Sequence, residues 1–259
     1  MTNLFLAASL VLVPLASAQP LDGRALIPEG TAVVGTDQKD IPAQVGADKR
    51  INLKWYADEI PARKVPVGAF YIDVTEVTNK RYGALVPGHK YPENLENHPV
   101  VNVTWKEADD FCRKAGGRLP TEAEWERAAR GDAGYVYPWG NTFVPGNAVF
   151  METAGGGKGK VKAWSQQESG ENLLGGTHPV ASVEAGKSPF GVYDMAGNAW
   201  EWVDGWYDEG KKIRMLKGGS WLSPKESLRS AARLGEVEGE RRFNDFGFRC
   251  AYGLTKGAN

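Results

Sequence analysis

The chain has 259 residues, with an apolar fraction of 42% and a charged fraction of 24%, which are ordinary values for a globular protein. Its 31 basic and 32 acidic residues leave a formal net charge of −1, so the composition gives no argument for a nucleic-acid partner or an anionic membrane surface. The 9 Trp and 32 Gly residues favour a loop-rich fold held by aromatic side chains over a helical bundle.

Residues 1–18 have the pattern of a secretory signal peptide. An apolar run from Leu4 to Leu15 is followed by Ala16-Ser17-Ala18, a small-x-small cleavage pattern. The run is too short to span a bilayer as a helix, and no Cys follows it to carry a lipid anchor. We therefore expect residues 19–259 to form a single domain, periplasmic or secreted and without a membrane anchor.

The first part of the mature chain predicts strands and one short helix. Residues 19–65 are polar and rich in Pro, Gly and Asp, with one possible strand at residues 31–34. The apolar residues at 65, 67, 69 and 71 alternate, which predicts one half-buried strand. Thr78 is a suitable N-cap for a short helix.

Two further helices are predicted from capping boxes. In the first, the Thr104 hydroxyl can accept from free backbone N–H groups while Glu107 reaches back, and Gly116-Gly117 ends the helix. In the second, Thr121 and Glu124 form the same pair. Beyond residue 131 we find no long helical period, only short strands and turns.

Four segments give the strongest signal in the chain. They are, in order, GRLPTEAEWER at 117–127, GVYDMAGNAWEW at 191–202, GGSW at 218–221 with LRSAAR at 228–233, and GFRC at 247–250. Together they resemble the formylglycine-generating enzyme family, also called the sulfatase-modifying-factor domain, over a core of about residues 27–252. The resemblance implies an α+β, C-type-lectin-like fold with little regular secondary structure.

The chain contains only two cysteines, Cys112 and Cys250. Cysteines at these two motif positions form a structural disulfide in the family, and export makes oxidation plausible. Two buried free thiols are the alternative reading, and a redox-active pair is a third, although catalytic pairs tend to be close in sequence.

The catalytic cysteines of the family are missing. In the resembling enzymes, two cysteines five residues apart bind copper(I) after the Gly-Gly-Ser-aromatic motif. The first position falls on Ser223, and the second falls near Leu228 or in a deletion. A hydroxyl is a hard ligand, whereas copper(I) needs soft thiolates. We therefore expect no formylglycine generation by the copper–thiolate route.

Part of the catalytic pocket is nevertheless retained. Trp200 and Ser220 match residues that line the family's oxygen and substrate pocket, with Ser223 expected beside them. The alternative is that Trp200 is a core aromatic residue and Ser220 satisfies a buried turn. Three arginines also match family positions, and because a buried arginine usually needs a carboxylate partner we interpret them as structural first: Arg229, Arg233 and Arg249.

The resemblance also implies structural calcium sites. The first would use the side chains of Asp194 and Glu201 with the carbonyls of Gly197 and Ala199, which are hard oxygen ligands of the kind that calcium prefers. The alternative is a capped turn with a surface carboxylate. The second site maps onto the side chains and carbonyls of these residues: Asn147, Ala148, Asn172 and Leu174.

Two functions from different classes remain open. One is an exported maturation factor that modifies a periplasmic protein or peptide-derived metabolite, with oxidative chemistry in the pocket of Trp200, Ser220 and Ser223. The other is a non-catalytic, C-type-lectin-like binding module for a protein or glycan. Fold alone does not choose between them. A retroelement-diversified receptor-binding protein is disfavoured, because the C-terminal stretch lacks a run of variable Asn-rich positions.

Overall fold

The computed structural model describes residues 23–45, 52–154, 176–235 and 240–254. Four α-helices lie in the first half of the chain: α1 (Ile41–Val45), α2 (Asn79–Leu85), α3 (Trp105–Lys114) and α4 (Glu122–Arg130). The strands of the first half are β1 (Arg24–Ile27), β2 (Gly30–Val34), β3 (Arg63–Val67) and β4 (Phe70–Asp73). Those of the second half are β5 (Trp200–Asp208), β6 (Ile213–Lys217), β7 (Arg233–Leu234), β8 (Phe246–Phe248) and β9 (Ala251–Gly253).

The strands form three small sheets. One has the order β1-β4-β9, a second pairs β2 with β3, and a third has the order β7-β6-β5-β8. Strand β5 pairs with β8 in parallel, Trp200 opposite Phe246, whereas the other pairs are antiparallel. Because β1 and β9 both pair with β4, the first and last strands of the described chain lie in the same sheet.

The helix predictions are confirmed. Both capping boxes form: Thr104 with Glu107 at the start of α3, and Thr121 with Glu124 at the start of α4. The Thr78 side chain accepts from the Arg81 N–H at the start of α2. Helix α3 ends before Gly116, whose φ of 80° is one that favours glycine.

The prediction of one continuous strand through residues 65–71 is wrong. The chain instead forms β3, breaks at Gly68 and Ala69, and continues as β4. The two-residue break changes the phase of the pattern, so Phe70 and Ile72 are buried and Ala69 and Tyr71 are not. The predicted strand at residues 31–34 is confirmed within β2.

A disulfide joins Cys112 on α3 to Cys250 just before β9, across 138 residues of sequence. This confirms the pairing that the resemblance implied. Closing so long a loop stabilises the fold by about 4–5 kcal/mol in the chain-entropy model. The bridge lies in an apolar cluster together with Phe111, Trp202 and Phe248.

In the described part of the chain after α4, the backbone forms short strands, single 3-10 turns and irregular loops. Much of this region is held by buried charges. Arg229, for example, donates to both carboxylate oxygens of Glu59 at 2.7 and 2.6 Å. None of the helices described is both long and apolar enough to cross a membrane.

Candidate functional site

The turn after β6 brings Ser220 and Ser223 together. The Ser220 N–H donates to Ser223 Oγ at 2.9 Å, and the Ser223 N–H returns to the Ser220 carbonyl at 3.0 Å. Gly219 makes this turn possible, because its φ is 75° and a Cβ there would lie 2.9 Å from the Ser227 carbonyl oxygen. The two serines therefore occupy a tightly closed turn.

Asp245 completes the cluster, and the sequence reading did not identify it. Ser220 Oγ lies 2.7 Å from Asp245 Oδ2, to which it donates, and 3.2 Å from Ser223 Oγ. When Asp245 is ionised, the Ser220 hydroxyl uses its one proton to donate a hydrogen bond to the carboxylate. The hydrogen bond between the two serine hydroxyls is then donated by Ser223 to Ser220. Burial raises the pKa of the Asp245 carboxyl to about 6, against the lowering effect of the bond from Ser220.

The parallel pairing of β5 with β8 positions this carboxyl. The Trp200 N–H donates to the Asp245 carbonyl at 2.8 Å, so the backbone of Trp200 lies beside the residue that accepts from Ser220. The arrangement is closed, because Trp200 is 6% exposed, Ser223 5% and Ser220 0%. Trp200 also packs in the apolar core, and Trp202 is a core residue whose Nε1 donates to the Val103 carbonyl at 2.9 Å.

The position near the second missing cysteine has become part of the core. Leu228 is fully buried and packs in a cluster with Tyr137, Phe150 and Ala196. Its Cδ2 would lie 2.9 Å from a Cβ placed on Gly219. A copper-binding thiolate at position 228 would therefore have to displace an apolar side chain that fills the space under the serine turn.

The histidines make other contacts. In the part of the chain that the structure describes, neither Ser220 nor Ser223 hydrogen-bonds to a histidine. His98 Nδ1 lies 2.9 Å from Thr177 Oγ1, and His89 Nε2 lies 3.1 Å from Asn79 Oδ1. The described residues thus contain no Ser-His-Asp triad built on this turn.

The arginines that match family positions have structural partners, as predicted. Arg249 donates to both oxygens of Glu201 at 2.7 Å, and both side chains are fully buried. Arg229 pairs with Glu59, as described above. Arg233 Nε lies 2.7 Å from a Glu122 oxygen.

The first predicted calcium site includes Glu201, which is also part of the buried ion pair with Arg249. Glu201 accepts from Arg249 and also from Trp125 Nε1 at 2.8 Å. Asp194 has a φ of 57°, and its Oδ2 accepts from the Ala181 N–H at 2.7 Å. The turn between them contains Gly197, where a Cβ would lie 2.2 Å from the Val149 carbonyl oxygen, so only glycine fits.

Glu76 is a further carboxylate at this place, and the sequence reading missed it. The side chain is buried beside Asp194, and among the described residues no N–H or O–H group donates to either carboxylate oxygen. Burial, then Asp194, then Glu201 raise the pKa of Glu76 well above its usual value. Unpartnered hard oxygens beside Asp194 fit a calcium ion, whose charge would offset the cost of burying them.

The fit depends on backbone oxygens as well as on carboxylates. Among the residues described, no three His, Cys, Asp or Glu side chains are already gathered as a metal centre. Asp194 and Glu201 would hold the ion together with the carbonyls of Gly197 and Ala199, and Glu76 would add charge. A calcium ion there would hold together the described turns of residues 191–199 that precede β5.

The second predicted site lies only partly within the described residues. Asn147 ends a 3-10 turn, Pro145–Asn147, and the Ala148 carbonyl accepts from Thr153 Oγ1 at 2.7 Å. Asn172 and Leu174 lie outside the described residues. The second calcium site remains a prediction.

Comparison with solved structures defines the class of fold. Treponema denticola variable protein 1 aligns with a TM-score of 0.65 at 22% identity, covering 89% of this chain and 94% of that chain. PvdO from Pseudomonas aeruginosa aligns with a TM-score of 0.63 at 22% identity and the same coverage. The fold is therefore of the α+β, C-type-lectin-like class found in these proteins.

Sequence comparison gives the family. Residues 12–254 match the Sulfatase-modifying factor enzyme 1-like domain, and the chain belongs to this formylglycine-generating-enzyme family. It is 37% identical over 179 residues to the inactive C-alpha-formylglycine-generating enzyme 2 of Bos taurus, covering 66% of this chain and 55% of that protein. It is 36% identical to the formylglycine-generating enzyme of Streptomyces coelicolor, covering 74% and 81% respectively.

Proposed function

We propose that this chain is an exported family member that lacks formylglycine-generating activity and acts by binding a protein or glycan partner. One observation supports the proposal: the residue matched to the first thiol, and the residue near which the second would fall if it is not deleted, both have structural contacts. Ser223 is closed into a buried hydrogen-bonded turn, and Leu228 is packed into the apolar core.

Chemistry supports the loss of activity. A serine hydroxyl does not replace a thiolate as a ligand for copper(I), and a leucine provides no ligand at all. The bovine relative, which is 37% identical in the matched region, is itself named an inactive formylglycine-generating enzyme. Export is supported by the signal-like residues 1–18 and by the disulfide, which persists in oxidising compartments.

A peptide conversion assay tests the catalytic half of the proposal. The mature protein, supplied with copper(I) and oxygen, is expected to leave the cysteine of a C-x-P-x-R peptide unchanged by mass spectrometry. The Streptomyces coelicolor enzyme serves as the active control. Ser223→Cys alone is expected to remain inactive, because the second thiol is still absent, so formylglycine produced by that variant would contradict the proposal.

Maturation or oxidative tailoring of a periplasmic protein or peptide-derived metabolite is the second candidate. The observation that favours it is Asp245, a buried carboxyl with a pKa of about 6, bonded to Ser220 where the family has its pocket. Metal analysis of protein purified from periplasm without chelator separates the two candidates. Calcium alone supports the binding protein, whereas stoichiometric copper or iron supports the oxidase.

A further inference from the structure

A cavity of about 520 Å³ opens beside helix α2. One side is the loop of residues 86–92, the other includes residues 101–103 with Glu107 and Arg242, and α2 contributes Asn79 and Tyr82. None of its lining residues belongs to the serine cluster or to the predicted calcium ligands. Its volume lies within the range of pockets that hold small ligands.

The opposite charges in the lining are paired with each other. Arg242 donates to both Glu107 oxygens, Nη2 to Oε1 at 2.7 Å, and the Thr104 N–H donates to Glu107 Oε2 at 2.9 Å. Burial alone would raise the pKa of Glu107, but these bonds hold it below the usual value. Lys90, which is exposed, is the remaining charged residue of the lining, so the cavity does not select strongly for an ion.

His89 offers the cavity a fixed hydrogen-bond acceptor. Asn79 Nδ2 donates to the Leu95 carbonyl at 2.9 Å, which leaves Asn79 Oδ1 facing His89 Nε2 at 3.1 Å. Nε2 therefore carries the proton, and since burial lowers the pKa of His89 the neutral ring has Nδ1 as an acceptor. Among the described residues, none donates to Nδ1.

Aromatic side chains flank this acceptor. The centroid of the His89 ring lies 4.8 Å from that of Tyr82 and 5.5 Å from that of Tyr91. The Tyr82 ring stacks on Phe111 in the core, whereas Tyr91 is 38% exposed. Tyr91 therefore presents an apolar surface next to a hydrogen-bonding group.

We propose that this cavity binds one pyranose ring of a glycan, an inference that rests on the proposed binding function. A sugar ring has an apolar C–H surface, which suits Tyr91, and hydroxyl groups that both donate and accept. One hydroxyl donates to His89 Nδ1, and others meet the Asn102 amide and the Lys90 ammonium group at the edge. A strongly charged ligand is disfavoured because Glu107 and Arg242 already neutralise each other.

Titration of the calcium-loaded mature protein with neutral saccharides tests the proposal. The probes are cellobiose, maltose, mannobiose and chitobiose, followed by saturation-transfer NMR and calorimetry. We expect saturable binding of at least one probe. Tyr91→Ala and His89→Ala are each expected to weaken it at least about tenfold, and Tyr91→Phe to retain it.

Trp55→Ala is the matched control, because Trp55 is also an exposed aromatic residue and does not line the cavity. Unchanged thermal midpoints would show that the variants fold. The proposal is overturned if no probe shows saturable binding up to a concentration of roughly 10 mM, because a Kd above that value is too weak for specific recognition. It is equally overturned if binding persists in both Tyr91→Ala and His89→Ala.

Failure of this inference and failure of the proposed function give different experimental results. Conversion of a C-x-P-x-R peptide by a protein that also binds a saccharide at Tyr91 would refute the proposed function and leave this inference standing. Binding of a protein partner by a protein that binds none of the saccharide probes would overturn this inference and leave the proposed function standing.

Discussion

Two buried polar clusters next to strand β5 differ in how their charges are satisfied. Glu201 is matched by Arg249 through two bonds of 2.7 Å and by the Trp125 indole. The cluster of Ser220, Ser223 and Asp245 ends on a carboxyl that receives a hydroxyl and no cation. The charge on Glu201 is thus paired, whereas the turn of Ser220 and Ser223 is held by hydrogen bonds to a carboxyl that meets no cation among the described residues.

Removing Arg249 should produce the largest effect on stability. In Arg249→Ala, the Glu201 carboxylate stays buried without its cation, which costs about 3–5 kcal/mol of unfolding free energy. Urea denaturation measures the loss. Lys106→Ala is the control, because Lys106 pairs with Asp110 on the exposed side of α3 and its removal should leave the midpoint nearly unchanged. Equal losses in the two variants would show that the buried pair does not carry this energy.

Asp245→Asn should have a smaller effect and the opposite sign. The folded-state pKa of Asp245 is raised to about 6 from 3.8, so the folded protein binds more protons than the unfolded chain between these values. Stability therefore falls as pH rises through this range, by up to about 3 kcal/mol.

The asparagine variant removes that cost while keeping an acceptor for Ser220. It should be more stable than the parent protein above pH 6 and should gain nothing near pH 3. Thermal unfolding of both proteins from pH 3 to pH 8 gives the comparison. Parallel pH profiles would mean that Asp245 is not the titrating group.

The features that the sequence predicted are those encoded locally or by motif. Thr104 with Glu107 and Thr121 with Glu124 act within one helical turn, so their capping boxes could be read directly. The fold and the disulfide followed from the resemblance. The prediction of one strand at residues 65–71 failed because the alternation of apolar residues does not reveal the break at Gly68 and Ala69.

The remaining site features depend on distant partners. Asp245 meets Ser220 across 25 residues, and Arg229 meets Glu59 across 170, with no motif linking either pair. Glu76 lies between the predicted strand at residues 65–71 and the predicted N-cap Thr78, and its role is visible only because its oxygens are buried without partners among the described residues. In the sequence, the one signal that could have drawn attention to it is an acidic residue among β-branched residues just before a predicted helix.

Calcium should sharpen the difference between the two clusters, because Glu76, beside Asp194 at the first of them, has carboxylate oxygens without a partner among the described residues. Calcium binding to the folded state is expected to stabilise the protein by about 2.7 kcal/mol at a free concentration 100 times Kd. Chelator should reverse the rise in thermal midpoint, and magnesium should produce less, because it demands a stricter geometry.

Glu76→Gln separates a calcium ligand from a residue that is merely buried. Without calcium the variant should be more stable than the parent, because an unpartnered carboxyl has been replaced by a neutral amide. With calcium the variant should gain less than the parent, since the site has lost one negative charge. Glu184→Gln, on an exposed turn, is the control and should respond to calcium as the parent does. Equal gains in Glu76→Gln and the parent would place the ion away from Glu76.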